Sequence, residues 1–95
     1  MKITFDPDKR AETLRDRGID FADAAELFRG PTLTLTDDRF FYGETRFLTY
    51  GLLNGRLMMV AWTPRGGARR VISMRKCNDK ESKKIAHRLG QSRRP

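Results

Sequence analysis

The stretch RFLTYGLLNGRLMMVAWT, residues 46–63, decides the fold of this chain. Asn54 and Gly55 separate two runs of aromatic and aliphatic residues, and a tight type I′ hairpin turn needs two residues that tolerate positive φ. Residues 46–53 and 56–63 are therefore predicted to be neighbouring antiparallel strands. Residues 57–62 are apolar without interruption, which is typical of a strand covered on both faces. We expect this strand at the centre of a sheet.

Two helices are predicted before the hairpin, after a short strand at residues 2–5. The first helix begins at Pro7 with Asp6 as its N-cap, and Gly18 ends it after Arg17. The second helix is capped by Asp20. The spacing of apolar residues predicts the buried faces: Ala11 and Leu14 in the first helix, and Phe21, Ala24, Ala25 and Phe28 in the second.

The remaining elements complete an α+β domain. Residues 32–36 and 69–76 alternate apolar and polar side chains and are predicted to be strands. A last helix over about residues 80–89 places Ile85 and Leu89 against the sheet. The order β-α-α-β-β-β-β-α predicts one domain over residues 1–89, with helices packed on a mostly antiparallel sheet. Residues 90–95 are expected to form a flexible basic tail.

The charge of the chain is concentrated in its last third. Residues 1–64 hold nine Lys and Arg against ten Asp and Glu, whereas residues 65–95 hold eleven against two. The whole chain has 95 residues and a net charge of +8, so the last third carries the entire excess. A one-sided basic surface indicates an anionic partner, most often nucleic acid.

Several classes of protein are excluded by the same composition. Cys77 is the single cysteine and His87 the single histidine, which argues against an internal disulfide and against a zinc site. The N-terminal residues lack the apolar region of a secretory signal. The longest apolar run has six residues, against about 20 for a membrane span. We expect a cytoplasmic protein that uses no metal and no cofactor.

The strand RRVISMRK, residues 69–76, holds the main candidates for chemistry. Guanidinium groups bind phosphate oxygens with two hydrogen bonds and keep their charge, so they suit phosphate binding or stabilisation of a phosphorane-like transition state. The alternative interpretation is a set of solvated charges on an edge strand. Regular alternation places Arg69, Val71, Ser73 and Arg75 on one face, and Arg70, Ile72, Met74 and Lys76 on the other, with Ile72 and Met74 in the core.

Other cations near this strand are weaker candidates. Arg65 precedes Gly66 and Gly67, whose backbone N–H groups can approach an anion closely. Arg46 is expected to form an ion pair with Glu44. On the last helix, one cationic face is expected from Lys80, Lys83, Lys84 and His87, either as a binding surface or as a solvated helix face.

Taken in order, these motifs resemble the BrnT family of bacterial type II toxins. The matching positions cover roughly residues 2–85 and are Phe5-Asp6-Pro7-x-Lys9, Gly18-Ile19-Asp20-Phe21 with Ala24, Ala25 and Phe28, Glu44-x-Arg46, Gly51, Thr63-x-Arg65, Arg70-Val71-Ile72-Ser73-Met74-Arg75 and Glu81. The resemblance implies a RelE-like fold and a metal-independent endoribonuclease that blocks translation. It also implies a ribbon-helix-helix antitoxin (BrnA-like) as partner, and operator DNA bound through the complex.

The resemblance assigns roles to individual residues. Arg65, Arg70 and Arg75 match arginine positions of the family and are expected to bind phosphate and stabilise the transition state, with Ser73 as a positioning hydroxyl. The resemblance identifies no general base, and the candidates that the chain offers for proton transfer are His87 and Glu81. The residues expected to contact RNA are Lys9, Arg46, Arg69, Lys76, Lys80, Lys83 and Lys84.

Two departures from the family pattern bear on the mechanism. The family usually has Lys-His-Gly where this chain has Asp16-Arg17-Gly18, and often a tyrosine where this chain has Ile85. An arginine is a poor general base because its pKa lies above roughly 12. The alternative function is therefore a nucleic-acid-binding module without catalysis, or a toxin homologue with weakened activity.

Overall fold

The computed structural model describes the backbone of residues 1–92 and the side chains of residues 1–89, so the expected tail at 90–95 lies largely outside the described residues. The chain forms an α+β fold, as predicted. Its elements in chain order are β1 (Lys2–Phe5), α1 (Pro7–Arg17), a 3₁₀ turn (Phe21–Asp23), α2 (Ala24–Arg29), β2 (Thr32–Thr36), β3 (Phe47–Leu53), β4 (Arg56–Arg65), β5 (Ala68–Lys76) and α3 (Asp79–Ser92).

The sheet has five strands in the order β1-β5-β4-β3-β2. Only the pair of β1 and β5 is parallel, and the other pairs are antiparallel. The predicted hairpin is confirmed, since Asn54 and Gly55 both have positive φ, at 51° and 77°. The predicted central position of β4 is also confirmed. The alternative interpretation of residues 69–76 was a set of solvated charges on an edge strand. Because β1 pairs with residues 68–71 of β5, this half of β5 does not lie at the edge of the sheet.

The sheet buries side chains on both faces. One face is covered by the 3₁₀ turn and α2 and is called the α2 face below; the other is covered by α3 and is called the α3 face. The core residues on the α2 face are Ile19, Phe21, Ala24, Leu27, Met58, Val60, Trp62, Val71 and Met74. Those on the α3 face are Tyr50, Leu57, Met59, Ala61, Cys77, Ile85 and Leu89. Successive side chains of β4 enter the two cores alternately, which explains its unbroken apolar run.

A β-bulge determines which side chains of β5 share a face. Ala61 pairs with Ser73 and Trp62 pairs with Val71, so Ile72 is an extra residue in β5. Val71 and Met74 are consequently both buried on the α2 face, while Ile72 packs on the α3 face. The prediction that Ile72 and Met74 share a face opposite Val71 is wrong, because regular alternation is interrupted at a bulge.

The first two helical segments differ from the predicted buried faces. α1 has the predicted ends, with Asp6 accepting a hydrogen bond from the Asp8 N–H and Gly18 at φ 67°. However, none of its residues is buried, so Ala11 and Leu14 do not form a core stripe. In the second segment Phe21 and Ala24 are buried as predicted, whereas Ala25 is exposed and Leu27 is buried as well.

Charge rather than apolar burial fixes α1 to the rest of the fold. The Arg10 guanidinium donates to both carboxylate oxygens of Asp20, at 2.7 and 3.0 Å, and lies 5.5 Å from the centre of the Phe5 ring. Asp20 also caps the 3₁₀ turn by accepting from the Ala22 N–H. None of the described helices is long and apolar enough to cross a membrane.

Leu27 and Leu14 provide a matched test of this core. Leu27→Ala opens a cavity under α2, where the side chain is fully buried, and should lower the free energy of unfolding by about 2–5 kcal/mol. Leu14→Ala changes a side chain that is 44% exposed and should cost less than about 0.5 kcal/mol. Urea denaturation measures both. Equal losses in the two variants would contradict the assignment of the core.

Candidate functional site

The bulge brings the three predicted catalytic residues of β5 to one face. Arg70 pairs with Thr63, Ser73 with Ala61 and Arg75 with Met59 across the β4–β5 ladder. Residues opposite each other in a sheet share a face, and Met59 and Ala61 belong to the core on the α3 face. Arg70, Ser73 and Arg75 therefore all lie on the α3 face. Regular alternation had predicted Arg70 on the opposite face from the other two. The structure therefore places one more candidate residue beside Ser73 and Arg75 than the sequence predicted.

Arg70 and Ser73 are available to a ligand. Arg70 is partly buried and Ser73 is exposed. Among the described residues, neither side chain has a hydrogen-bond or ion-pair partner. A guanidinium held at the surface of a sheet without a protein carboxylate keeps its full charge for an anion. This pair is the part of the face best suited to bind a phosphate.

Arg75 is held by a carboxylate of α3. Its guanidinium donates to both carboxylate oxygens of Glu81, at 2.8 and 2.9 Å. The hydrogen bonds from Arg75 lower the pKa of Glu81 and raise the pKa of Arg75. The Glu81 N–H donates to Asn78 Oδ1 at 2.8 Å, which fixes the first turn of the helix. Glu81 is therefore held against Arg75, which is two residues from Ser73 along β5. Its carboxylate is ionised at neutral pH.

A second carboxylate, Glu44, joins the two remaining arginines. Arg46 donates to one of its oxygens and Arg65 to the other, each at 3.1 Å. Both pairs lie at the end of the sheet where β4 turns into β5. The sequence predicted the pair of Glu44 with Arg46 but missed that Glu44 also holds Arg65. The spacing of Thr63 and Arg65 along β4 was the available signal, because it places both side chains on the α3 face.

The segment that carries Glu44 and Arg46 is a ten-residue loop, residues 37–46, which is fixed from its first residue. Asp37 is buried and accepts from Arg39 at 2.8 and 3.0 Å and from the Tyr42 hydroxyl at 3.1 Å. Its N–H donates to the Arg46 carbonyl at 2.8 Å. The hydrogen bonds from Arg39, with that from Tyr42, lower the pKa of Asp37 to about 2. The loop is thus closed by the ion pair and hydrogen bonds of Asp37, which we call the Asp37 brace, and not by apolar packing.

A groove between α1 and β5 reaches Ser73 from the other side. It has a volume of about 240 Å³, and its lining includes Lys9, Arg17 and Ser73 together with the carboxylates of Glu12 and Asp16. β1 ends opposite Val71, which leaves the edge of β5 open at this point. Arg17, where the sequence resemblance implies a histidine, therefore lies in the same groove as the hydroxyl of Ser73.

Two predicted RNA-binding residues lie on the opposite face. Arg69 lies over Phe28 and Trp62, 4.1 and 5.2 Å from their ring centres, and these rings belong to the α2 face. Lys76 pairs with Met58 and lines a groove on that face. The bulge separates Arg69 from Ser73 and Lys76 from Arg70, with which regular alternation would have grouped them. The Arg69 Nε is buried without a hydrogen-bond partner among the described residues.

The cations of α3 divide between a groove and open solvent. Lys80 and Lys84 line a groove of about 350 Å³ together with Tyr50, Glu81 and Ile85. Lys83 and His87 are exposed elsewhere on the helix. Burial of Cys77 raises the pKa of its thiol to about 11, so this cysteine is a packing residue. Among the described residues, no group of three or more His, Cys, Asp or Glu could hold a metal ion.

The order of these residues along the chain matches one family model. The model of the ribonuclease toxin BrnT of type II toxin-antitoxin systems matches residues 5–81 of the 95 residues. The chain belongs to the BrnT family. None of the curated proteins matches it significantly.

Membership of the BrnT family indicates the class of reaction, which is the cleavage of RNA. The family is described as a ribonuclease toxin, and a type II system pairs such a toxin with an antitoxin. The match includes Lys9, Arg17, the arginines of β5 and Glu81, and ends before Lys83, Lys84 and His87. The helix cations beyond residue 81 are therefore features of this chain that the BrnT model does not cover.

Asp37 provides a pH test of the brace that holds the loop. Because the folded-state pKa of Asp37 is below its ordinary value, its contribution to stability is present above about pH 4 and is lost as the pH falls through about 2. Asp37→Asn should therefore lower the free energy of unfolding at pH 6, and its difference from the unmodified protein should shrink towards pH 2. Urea denaturation at the two pH values measures this.

The neighbouring carboxylate supplies the control for this test. Asp38 is exposed, and Asp38→Asn should leave the free energy of unfolding unchanged at both pH values. A loss for Asp37→Asn that is the same at pH 2 and pH 6 would show that the carboxylate charge does not hold the loop.

Proposed function

We propose that this chain is an endoribonuclease toxin that cleaves RNA on the α3 face without a metal ion. The observation that carries the proposal is the placement of Arg70, Ser73 and Arg75 together on one face of a BrnT-family chain. We also propose that the sheet and helices correspond to the RelE-like fold that the sequence resemblance implies. The protein would act in the cytoplasm, where its RNA substrate is found.

The proposed reaction is attack of a ribose 2′ oxygen on the adjacent phosphorus. The 2′-OH loses its proton, a bond from the 2′ oxygen to phosphorus forms, and the bond from phosphorus to the 5′ oxygen of the next nucleotide breaks. The products are a 2′,3′-cyclic phosphate and a free 5′-OH, which takes up one proton. The reaction therefore needs positive charge at the pentacovalent phosphorus, a base and a proton donor.

The arginines would supply the positive charge. Arg70 has no protein carboxylate to neutralise it among the described residues, so in the proposal it contacts the phosphate that is cleaved. The exposed Ser73 hydroxyl donates a hydrogen bond to the same phosphate. Arg75 adds charge from the Glu81 side, and Arg65 contacts the phosphate of a neighbouring nucleotide.

Glu81 is the proposed base. A base must be unprotonated when the substrate binds, and the hydrogen bonds from Arg75 keep Glu81 in that form. Its carboxylate is held by Arg75, which lies on the same face of β5 as Ser73. His87 is exposed on α3 and lies beyond the family match, so we assign it no part in proton transfer. The 5′ oxygen would take its proton from water.

The remaining cations would guide the RNA towards this site. Lys9 and Arg17 lie in the groove beside Ser73, and Lys80 and Lys84 lie in the groove beside Glu81. RNA passing across Ser73 would therefore meet cations on both sides. Arg69 and Lys76 lie on the α2 face, and we no longer propose that they contact RNA.

The antitoxin would neutralise the toxin by covering the same face. We propose a small ribbon-helix-helix protein that masks Arg70 and Arg75, with the complex binding operator DNA through that protein. An antitoxin bound over these arginines would compete directly with RNA for the same positive charges.

Arg70→Ala tests the proposed site. The purified protein should cleave single-stranded RNA in the presence of EDTA, and the variant should cleave about 10²- to 10³-fold more slowly, because a preorganised donor to the transition state is lost. Arg15→Ala is the matched control, since Arg15 is an exposed arginine of α1 and its removal changes the net charge equally. Gel analysis of end-labelled RNA measures the rates, and the arrest of growth on expression should follow the same order.

A different result would favour the alternative function. If the unmodified protein shifts labelled RNA in a gel but produces no fragments, with or without EDTA, it is a nucleic-acid-binding module. Arg17 in place of the family histidine is the observation that favours this alternative. Fragments that appear only without EDTA would contradict the metal-independent reaction but not the ribonuclease.

Glu81→Gln tests the proposed base. The amide oxygen can still accept one of the two hydrogen bonds from Arg75, but the amide cannot take a proton, so the cleavage rate should fall by about 10²- to 10⁴-fold while the protein remains folded. In the unmodified protein the rate should remain on its plateau at pH 5, where a histidine base of ordinary pKa near 6.5 would be largely protonated.

Glu44→Gln is the control for this substitution. Glu44 is also a carboxylate held by arginines, but it lies at the Arg65 end of the site and should affect the rate much less. If Glu44→Gln abolished cleavage and Glu81→Gln did not, the base would be Glu44 instead.

A further inference from the structure

Two phenylalanines of the loop at residues 37–46 are turned towards solvent. Phe40 is 68% exposed and Phe41 is 99% exposed, although an isolated aromatic side chain gains stability from burial. Both lie between elements that are well packed, since Thr36 ends β2 and Phe47 begins β3. The fold itself therefore gives no reason for two aromatic residues at this place.

The loop holds these rings on a fixed base. Asp37 closes the loop through Arg39, the Tyr42 hydroxyl and the Arg46 carbonyl. The Phe40 ring contacts Tyr42 edge to face, with ring centres 5.9 Å apart. A ring fixed in advance, as Phe40 is by Tyr42, loses little conformational entropy when it contacts a ligand.

The rings are combined with arginines. The Arg46 guanidinium lies 3.9 Å above the centre of the Tyr42 ring, and that of Arg39 lies 6.0 Å from the centre of the Phe40 ring. Aromatic side chains interleaved with cations are typical of proteins that bind single-stranded nucleic acid, because every base can stack on a ring. The Phe41 ring has both faces open to solvent.

The loop is also joined to the proposed cleavage site. Glu44 and Arg46 belong to the loop, and Glu44 accepts from Arg65 of β4. Arg65 pairs with Ala68, which is two residues, or about 7 Å, from Arg70 along β5. A strand of RNA with its phosphate on Arg70 and the next phosphate near Arg65 would bring a following base to the loop.

We propose that Phe40 and Phe41 form a stacking platform for unpaired bases, and that the substrate is therefore single-stranded RNA. The inference rests on the proposed function, since it places the platform beside the proposed cleavage site. Arg39 is neutralised by Asp37, and Arg46 and Arg65 share the charge of Glu44. Stacking, and not charge, is thus what the loop contributes to binding.

This distinction gives the experiment its readout. The affinity of proteins for RNA falls with salt in proportion to the number of phosphates neutralised, whereas stacking on a ring releases no counterions. The probe is a short, fluorescein-labelled 2′-O-methyl oligoadenylate, which has no free 2′-OH and cannot be cleaved. Fluorescence anisotropy measures its affinity at several salt concentrations.

Replacing both phenylalanines by alanine should weaken binding of this probe about tenfold. The slope of log affinity against log salt should not change, and affinity for a duplex RNA of the same length should also be unaffected, because paired bases cannot stack on the loop. Arg70→Ala should instead reduce the slope for both probes. Leu52→Ala is the matched control, because Leu52 is 49% exposed on β3 and its truncation should change neither affinity nor slope.

A second variant reports on stacking directly. Phe41→Trp should retain affinity, and its fluorescence should be quenched by the oligoadenylate, while Trp62, the single native tryptophan and a buried residue, should respond little in the unmodified protein. Unchanged affinity of the double alanine variant, or absence of quenching in Phe41→Trp, would overturn the inference.

Two further outcomes separate this inference from the other proposals. If the unmodified protein cleaves RNA and Arg70→Ala does not, but the double alanine variant binds and cleaves normally, the platform is wrong and the ribonuclease stands. If that variant binds RNA normally but no longer copurifies with the coexpressed antitoxin, the loop docks a protein, which also overturns the inference.

Discussion

The burial of Val71 and Met74 on the same face of β5 is the constraint on which the site depends. In a regular strand, residues three apart point to opposite faces, so these two side chains could not both enter the core under α2. The extra residue at Ile72 resolves this conflict by shifting the register between β4 and β5. The same shift turns Arg70 to the side of Ser73 and Arg75. Apolar packing on one face thus decides which charged side chains share the other.

The arginines around this site are neutralised to very different degrees. Arg75 is held by Glu81, and Arg46 and Arg65 share Glu44. Such exposed pairs add little to stability, but they fix the guanidinium groups in position. Arg70, without a carboxylate partner among the described residues, retains the strongest attraction for an anion. The net charge of +8 therefore does not show which cations are available to bind an anion. In the proposed site, a phosphate would bind where no carboxylate neutralises the arginine.

Sequence patterns predicted most of the fold because its signals are local. The turn at Asn54 and Gly55 depends on positive φ, and the N-cap at Asp6 depends on one hydrogen bond, so each can be recognised from a few neighbouring residues. The unbroken apolar run of β4 likewise reflects its two buried faces. These features required no knowledge of what lies across the sheet.

The errors share a different origin, which is tertiary packing. Whether Leu14 is buried depends on what lies beside α1, and the fold supplies an ion pair between Arg10 and Asp20 in place of an apolar contact. The bulge at Ile72 depends on the partner strand. Candidate residue types were therefore predictable, whereas their grouping was not: Arg69 was expected beside Ser73 and Lys76 on the face of Arg70, and the register of β5 with β4 puts both on the α2 face.

The identity of residue 17 constrains how the proposed reaction can handle protons. Arg17 lies in the groove with Ser73, at the position where related toxins usually have a histidine, and an arginine stays protonated throughout the range in which enzymes work. Both carboxylates near the arginines have lowered pKa values, so they are ionised at neutral pH and cannot supply a proton. In the proposed reaction the site would supply a base for the 2′-OH and positive charge for the phosphorane. Departure of the 5′ oxygen, which needs a proton, would then be the slower half of the reaction, and cleavage should be fastest where the structure of the RNA itself favours that departure.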